Sequence, residues 1–156
     1  MSSKTKVIAD PDTLTVRIER LFDAPRSAVF EIFTKKELLE QWWNPFGEAR
    51  IEVDARGGGS WKFASADATF HGVFHEVTVP ERIVQTSEYA ELGEPGHVIL
   101  EKYDLTEQAD GKTLVVITET FLSAGDRDGL LQSGMEEGLA KAFEKVDAIL
   151  AERGGK

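Results

Sequence analysis

The first regular pattern in the chain is an alternation of apolar and polar residues between Leu14 and Phe22. Successive side chains of a β-strand point to opposite faces, so a period of two predicts a strand with one buried face. That face carries four apolar residues and one cation, namely Leu14, Val16, Ile18, Phe22 and Arg20. The pattern therefore predicts a half-buried strand near the start of the chain.

Two short helices are predicted next. Residues 23–25 (DAP) supply a capping side chain and a proline suited to a first helical turn. Thr34 and Glu37 have the spacing of a capping box, which predicts a second helix that runs to about Trp42. A parallel βαβ unit would need one crossover helix and a repeated alternation of strand and helix. The pair of short helices therefore favours an antiparallel sheet.

Strand patterns follow one another from Ala49 to Phe121, separated by turn-forming segments. These segments are residues 56–59 (RGGG), 65–67 (SAD), 79–81 (VPE), 93–96 (GEPG) and 109–111 (ADG). Asp110-Gly111 is the strongest turn signal, because tight hairpin turns need positive φ and favour this residue pair. Six strands are implied, and the first strand brings the predicted sheet to seven.

Beyond Gly125 the apolar residues recur at intervals of three and four instead. They are Leu131, Met135, Leu139, Ala142, Phe143, Val146, Ile149 and Leu150. This period predicts one long amphipathic helix whose apolar face meets the sheet. The expected fold class is α+β, a seven-stranded antiparallel sheet around a long C-terminal helix. We expect one domain over residues 1–156, ordered from about 12 to 151 after a frayed leader.

Charge and composition narrow the expected partners. The formal charge of −10 and the isoelectric point near 4.8 disfavour nucleic acid, since phosphate backbones bind basic surfaces. The absence of cysteine excludes disulfides and thiolate sites and is typical of a reducing cytoplasm. The apolar run Val7–Ala9 is too short for a signal peptide or a membrane span. We therefore expect a cytoplasmic protein that binds neither nucleic acid nor membrane.

A set of short motifs runs in order along the chain: residues 19–25 (ERLFDAP), 42–45 (WWNP), 56–58 (RGG), 80–82 (PER) and 134–138 (GMEEG). With the order strand, two helices, six strands and long helix, these motifs resemble the activator of Hsp90 ATPase homologue 1-like family. That family belongs to the START and Bet v 1-like (SRPBCC) superfamily, and the resemblance runs from about residue 14 to 150. It implies a helix-grip fold with a cavity under the last helix.

The same resemblance implies three kinds of function: binding of apolar ligands, a co-chaperone role, and occasional enzymes of polyketide chemistry. Fold alone does not choose among them. One departure concerns the last helix, where relatives often have an aromatic residue after the glycine and this chain has Leu139 after Gly138. This departure predicts an enlarged or reshaped cavity.

Aromatic and apolar side chains are candidates for the wall of that cavity. They are Trp42, Trp43, Phe46, Trp61, Phe63, Phe74, Met135, Leu139 and Phe143. The same residues could serve as plain core, and for the tryptophans a hydrophobic plug is the commoner outcome. The space between a curled sheet and the helix it grips is hard to fill completely. We therefore expect a packed core with a residual apolar cavity, and we assign these residues to ligand binding.

Three charged residues join the candidate ligand-binding set. Arg20 and Glu119 fall on apolar faces of strands, where a lone charge is costly. We expect Arg20 to pair with an acid such as Glu119 or Glu88, or to anchor the polar head of a ligand. Structural pairing is the commoner role of buried ion pairs.

The sequence indicates no metal, no cofactor and no catalytic residue. His71 and His75 would share one face of a strand about 13 Å apart, which is too far to hold one metal ion. The run Gly57–Gly59 leads into a strand pattern rather than a helix, which argues against a phosphate loop. No nucleophile motif in a strand–turn–helix setting is present.

These observations favour a protein that binds a small apolar or amphipathic molecule between its sheet and its C-terminal helix. One alternative is a co-chaperone module that contacts an Hsp90-like ATPase. Another is a polyketide cyclase or hydrolase-like enzyme, for which His71, Glu88 and Tyr89 are the scattered candidates. The sequence also leaves open whether the protein forms a homodimer.

Overall fold

A computed structural model describes residues 5–43, 50–65, 68–90 and 96–154. Its strands are β1 (Lys6–Ala9), β2 (Thr15–Phe22), β3 (Arg50–Val53), β4 (Ser60–Ala64), β5 (Thr69–Thr78), β6 (Arg82–Tyr89), β7 (Ile99–Glu107) and β8 (Thr113–Thr120). Its helices are α1 (Arg26–Thr34), α2 (Lys36–Trp42), α3 (Ala124–Gln132) and α4 (Met135–Gly154). The predicted α+β helix-grip class, an antiparallel sheet with a long C-terminal helix, is confirmed.

The strands form one sheet in the order β1-β2-β8-β7-β6-β5-β4-β3, and the pairings are antiparallel. From β3 to β8 each strand lies beside its neighbour in sequence. The pairing of β2 with β8 breaks this rule, since it places Ile18 opposite Ile117 and joins the two ends of the chain. Thr113 reinforces this joint because its buried hydroxyl donates to the Ala24 carbonyl oxygen at 2.8 Å.

The prediction of seven strands was wrong, because the described part of the sheet has eight. β1 lies where we expected a frayed leader, and Val7 in it pairs with Ile18 of β2. Val7 is partly buried against the core, whereas the other residues of β1 are exposed. A four-residue edge strand with one inward side chain gives too weak an alternation to be recognised.

The two short helices after β2 are confirmed, but their predicted caps are not. α1 begins at Arg26 after Pro25, which holds the N-cap position without a side-chain hydrogen bond. The Thr34 hydroxyl donates backward to the Phe30 carbonyl oxygen at 2.9 Å and so does not cap α2. Lys35 occupies the N-cap of α2 instead. The capping-box spacing was therefore coincidental.

The prediction of a single helix after Gly125 was also wrong. Gly134 has a φ of 84° and separates α3 from α4. Residues other than glycine rarely adopt this left-handed backbone conformation, and it ends α3 so that the chain turns here. The apolar period continues across the break, which is why periodicity alone predicted one rod. The hairpin at Asp110-Gly111 is confirmed, since it joins β7 to β8, but only Gly111 has a positive φ, of 82°, and Asp110 does not.

α4 supplies the contacts that hold the helices over the sheet. Phe143, Val146 and Leu150 are its buried residues. The Phe143 ring lies 5.5 Å from that of Phe22 on β2 and 6.1 Å from that of Trp42 on α2, centroid to centroid. This aromatic contact fixes α4 at one end of the sheet and leaves space between helix and sheet further along.

Candidate functional site

A pocket of about 650 Å³ lies between α4 and the sheet face that is turned toward the helices, the inner face. Its wall includes aromatic residues of α1, α2 and the sheet, apolar residues of β2, β6 and β8, and the α3–α4 corner at Leu130 and Met135. Most of its lining is apolar, and its polar members are few. Small-molecule sites commonly have this composition.

The tryptophans form one end of the pocket and are held by backbone hydrogen bonds. The Trp42 indole donates to the Ile32 carbonyl oxygen at 2.9 Å, and Trp42 is 7% exposed. Trp43 stacks on Trp42 at a ring distance of 6.3 Å and lies 5.1 Å from Trp61. This end of the wall is therefore continuous from α2 to β4.

Gly72 allows the Trp61 indole to cross the sheet. Trp61 on β4 is opposite Gly72 on β5, and its indole N–H reaches over to the Thr86 carbonyl oxygen of β6 at 3.0 Å. A Cβ at Gly72 would lie 1.8 Å from that oxygen and 2.6 Å from Trp61 Nε1. Any larger residue at this position would displace the tryptophan that lines the pocket.

A polar row crosses the inner face on three adjacent strands, at the floor of the pocket. Gln85 on β6 is opposite Glu101 on β7, and Glu101 is opposite Glu119 on β8. The Gln85 amide donates to Glu101 Oε1 at 2.9 Å, and Glu119 lies beside Glu101 as its cross-strand partner. We call Glu101 and Glu119 the acid pair. Both of its members line the pocket.

The surroundings of the acid pair disfavour ionisation of Glu119. Burial is the main cause that raises the pKa of Glu119 well above its usual value, and the charge and hydrogen bond of Glu101 add to this effect. Two acids on facing strands oppose each other's ionisation, because like charges repel. Glu119 is 6% exposed. The pocket floor therefore places a buried carboxyl with a raised pKa beside a second acid.

Tyr103 lies in the adjacent row, two residues from Glu101 on β7 and opposite Ile117. Burial and the charges of Glu101 and Glu119 raise the pKa of its phenol well above the usual range, so the hydroxyl stays protonated. Its ring packs 5.3 Å from that of Phe33. Its hydroxyl makes no hydrogen bond with any residue in the described ranges. It is thus an unused donor at the pocket wall.

The α4 side of the pocket is mainly apolar. Met135, Leu139, Ala142 and Phe143 line it, as do the two exposed lysines Lys141 and Lys145. Leu139 is half-buried and replaces the aromatic residue that the family resemblance predicts there. Its smaller side chain leaves space above the sheet.

Arg20 does not pair with Glu119 or Glu88, so both predicted partners were wrong. It forms an ion pair with Asp147 of α4, and its second arm donates to the Thr5 hydroxyl at 2.8 Å. Arg20 is opposite Val115 on β8, whereas Glu119 is opposite Val16, four residues away along β2. Four residues of strand span about 13 Å, which a side chain does not bridge.

The structure brings together eight of the residues that the sequence assigned to ligand binding. They are Trp42, Trp43, Trp61, Phe74, Glu119, Met135, Leu139 and Phe143. Phe63 is buried behind the wall, where its ring lies 5.0 Å from that of Trp43. Arg20 and Glu88 do not line the pocket, and Phe46 lies outside the described residues.

The candidates for catalysis also lie away from the pocket. His71 lies 4.0 Å from Glu88, and both side chains are more than a third exposed. Sequence reasoning missed Gln85, Glu101 and Tyr103. The alternation in β7 would have placed Glu101 and Tyr103 on one face with Ile99 and Leu105. The signal was ambiguous because both faces of this strand mix apolar and charged residues.

No helix in the described ranges is long and apolar enough to cross a bilayer. No group of three or more histidine and acidic residues among residues 5–43, 50–65, 68–90 and 96–154 has the geometry to hold a metal ion.

The sequence matches the protein family described as activator of Hsp90 ATPase homolog 1-like protein over residues 23–151. A structure from Mycobacterium smegmatis is 27% identical with a TM-score of 0.81, and covers 94% of this chain and 96% of that one. A structure from Arthrobacter aurescens is 28% identical with a TM-score of 0.78, covering 94% and 91%.

A third similar structure is an Hsp90 activator from Plasmodium falciparum. It is 20% identical with a TM-score of 0.72, and the match covers 88% of this chain and 96% of that one. At this identity the likeness concerns the fold alone. No curated protein sequence matches this chain at a significant level.

Proposed function

The chain belongs to the family of activator of Hsp90 ATPase homolog 1-like proteins, and we propose that it binds a small apolar or amphipathic molecule in the pocket under α4. The observation that carries this proposal is the pocket itself. Its volume of about 650 Å³ falls within the range of roughly 300–1,000 Å³ that ligand sites occupy. Its wall is mostly aromatic and aliphatic with a few polar groups.

Packing argues that this space is a site rather than an ordinary gap in the core. Protein interiors are packed about as densely as organic crystals and contain few voids larger than a water molecule. A water occupies about 30 Å³ of liquid, so the pocket has room for many waters or one guest. Apolar walls hold water poorly, and an apolar guest would gain free energy by burial.

The shape of the wall also favours a flat guest. Trp43 and Trp61 lie 5.1 Å apart at one end, and the Trp42–Trp43 stack continues that surface. Aromatic rings prefer offset or edge contacts with other rings at about 4.5–7 Å. A molecule with a planar ring would fit this end of the pocket, with its polar group toward the acid pair.

The proposal is tested by ligand-dependent stability on the whole chain. A library of small apolar and amphipathic molecules is screened by thermal unfolding, and retained ligands are weighed by native mass spectrometry. A ligand at 100 times its Kd should add about 2.7 kcal/mol to the free energy of unfolding. Leu139→Trp, which fills the pocket from α4, should abolish the shift.

Leu100→Trp is the matched control, because Leu100 is an exposed β7 residue outside the pocket wall. It adds the same side-chain volume and should leave the ligand-induced shift unchanged. A library that neither shifts the transition nor leaves any bound mass would contradict the proposal. Equal loss of binding in both variants would contradict the assignment to this pocket.

Contact with an Hsp90-type ATPase is a second candidate function, favoured by the family and by the fold shared with the Plasmodium falciparum activator. Its test is the ATPase rate of a purified Hsp90 with increasing amounts of this protein. A saturable rise in rate would support the contact. An unchanged rate at a large excess of this protein would contradict it.

A further inference from the structure

We propose that the pocket takes a lipophilic amine, an aromatic or alkyl body with one ammonium group, and that this ammonium contacts the Glu101–Glu119 acid pair. This inference rests on the proposed function and names the ligand class of the same pocket. It is carried by a buried acid without a cation, an unused hydroxyl beside it and the aromatic rings around both.

The acid pair has no cationic partner within the described residues. No described Lys, Arg or His nitrogen lies within 4.0 Å of Glu101 or Glu119. The buried cation Arg20 is not available to the acid pair, because its guanidinium already bonds to Asp147 and Thr5. Buried charge is ordinarily paired, because an isolated ion loses its hydration. A ligand cation would supply the missing partner.

The hydrogen-bonding groups at the floor suit an ammonium. An alkylammonium group has three N–H donors. The two carboxyl groups of the acid pair and the oxygen of the Tyr103 hydroxyl offer acceptors on neighbouring rows of the sheet. Gln85 is already engaged, since its amide donates to Glu101. The ligand nitrogen thus meets acceptors, since the amide donor of Gln85 is held by Glu101 and the Tyr103 hydroxyl can turn its hydrogen away from the ligand.

The surrounding rings favour a cation as well. Tyr103 and Phe33 pack 5.3 Å apart beside the acid pair, and Trp42 lies 5.6 Å from Phe33. The faces of aromatic rings attract ammonium groups, more strongly where water is excluded. The body of the ligand would lie against the same rings.

The other charged side chains that line the pocket are two lysines of α4. Lys141 and Lys145 on α4 are the opposing cations, but both are exposed residues whose ammonium ends can remain in water. Tyr103 is neutral. The formal charge of the whole chain is −10, which raises the local concentration of cations. The lysines therefore do not cancel the preference of the acid pair for a cationic ligand.

The experiment compares two ligands of one shape. An arylalkylamine and the alcohol with the same carbon skeleton are titrated calorimetrically into the whole chain at neutral pH. We expect the amine to bind at least about tenfold more tightly, because hydrogen bonds to charged groups contribute roughly 1.5–3 kcal/mol and tenfold in Kd is about 1.4.

Glu119→Gln tests the assigned contact, since the amide keeps the shape but cannot become the carboxylate that a bound ammonium favours. It should weaken amine binding at least about tenfold and leave alcohol binding within about twofold. Glu101→Gln should act in the same direction. Glu107→Gln is the control, because Glu107 is an exposed residue of the same strand outside the pocket and its replacement should change neither affinity.

Three outcomes would overturn the inference. The alcohol could bind as tightly as the amine, Glu119→Gln could weaken both ligands equally, or Glu107→Gln could match its effect. In each case a ligand still binds and the proposed function stands. If neither ligand bound, and the apolar library gave no ligand either, the inference and the proposed function would both be lost.

Discussion

At the scale of single residues, the burial of Glu119 has a measurable consequence for stability. Glu119 is 6% exposed, and its cross-strand partner is another acid, Glu101. Burial and that acid raise its pKa, so the folded state binds the proton more tightly than the unfolded chain does. Such a group stabilises the fold at low pH and loses that contribution as pH rises through its folded pKa.

Glu119→Gln should therefore change the pH dependence of stability. Below the unfolded pKa of roughly 4.3, wild-type Glu119 is protonated in both states and the amide resembles it. As pH rises toward 8, Glu119 of the unfolded wild type loses its proton. Folding must then either restore that proton or bury the charge, whereas the variant has no group to ionise at this position. We expect the variant to gain stability relative to wild type over this window, measured by urea unfolding in the absence of ligand. A difference that does not vary with pH would contradict the raised pKa.

Arg20→Met separates a structural role from a ligand-binding role. Arg20 is 3% exposed and pairs with Asp147, so its loss leaves a half-buried acid without its partner. We expect a loss of roughly 1–3 kcal/mol in the free energy of unfolding, below the usual value for a fully buried pair because Asp147 can reach water.

The affinity of Arg20→Met for any ligand of the pocket should match that of the wild type, because Arg20 lies outside the pocket wall. Calorimetric titration at a temperature where both proteins are folded compares the two affinities. A weaker affinity without a loss of stability would restore the role of ligand anchor to Arg20.

At the scale of elements, the α3–α4 corner depends on the conformation of one residue. Gly134 has a φ of 84° and a Cβ built there would meet no other atom, so only the backbone conformation opposes substitution. Gly129 is an exposed glycine within helix α3 with the same open surroundings. The same change at the two sites should therefore have opposite effects.

We expect Gly134→Ala to lower the free energy of unfolding by about 1–2 kcal/mol, because an L-residue is strained in the left-handed region. Gly129→Ala should raise it by roughly 0.5–1 kcal/mol, since alanine is the better helix former. Thermal and urea unfolding of both variants measure the two changes. Stabilisation by both substitutions would mean that α3 and α4 can join into one helix.

The elements were largely predictable because their signals are local. The period of two from Leu14 to Phe22 and the period near 3.6 after Gly125 identify β2 and α4. The break at Gly134 was not predictable in this way, since one left-handed residue does not disturb the apolar period around it. β1 was missed because a single inward residue, Val7, carries its burial.

The candidate site was only partly predictable, for a reason of register. Its apolar wall follows from the inward residues of each element, such as Trp61 and Phe143. The acid pair depends on which residue of β7 lies opposite which residue of β8, and a local pattern does not define that alignment. The same uncertainty produced the wrong partners for Arg20, whose acid lies on α4.

At the scale of the whole molecule, the sheet is a meander completed by one distant pairing. β3 to β8 can form between neighbours in sequence, whereas β2 lies beside β8 and places Ile18 against Ile117. Thr113, Arg20 and Asp147 hold the same joint from both ends of the chain. The two segments that must meet there are therefore among the most widely separated in the sequence.

That separation bears on how the protein is made. During synthesis β2 leaves the ribosome early. Its partner strand, β8, follows only after β3 to β7 have been translated. α4, which rests on both, arrives later still. Pairings of such long range are slow because the intervening chain must first lose its freedom. A nascent chain stalled before residue 113 would thus keep one apolar strand edge open, with nothing of its own to cover it.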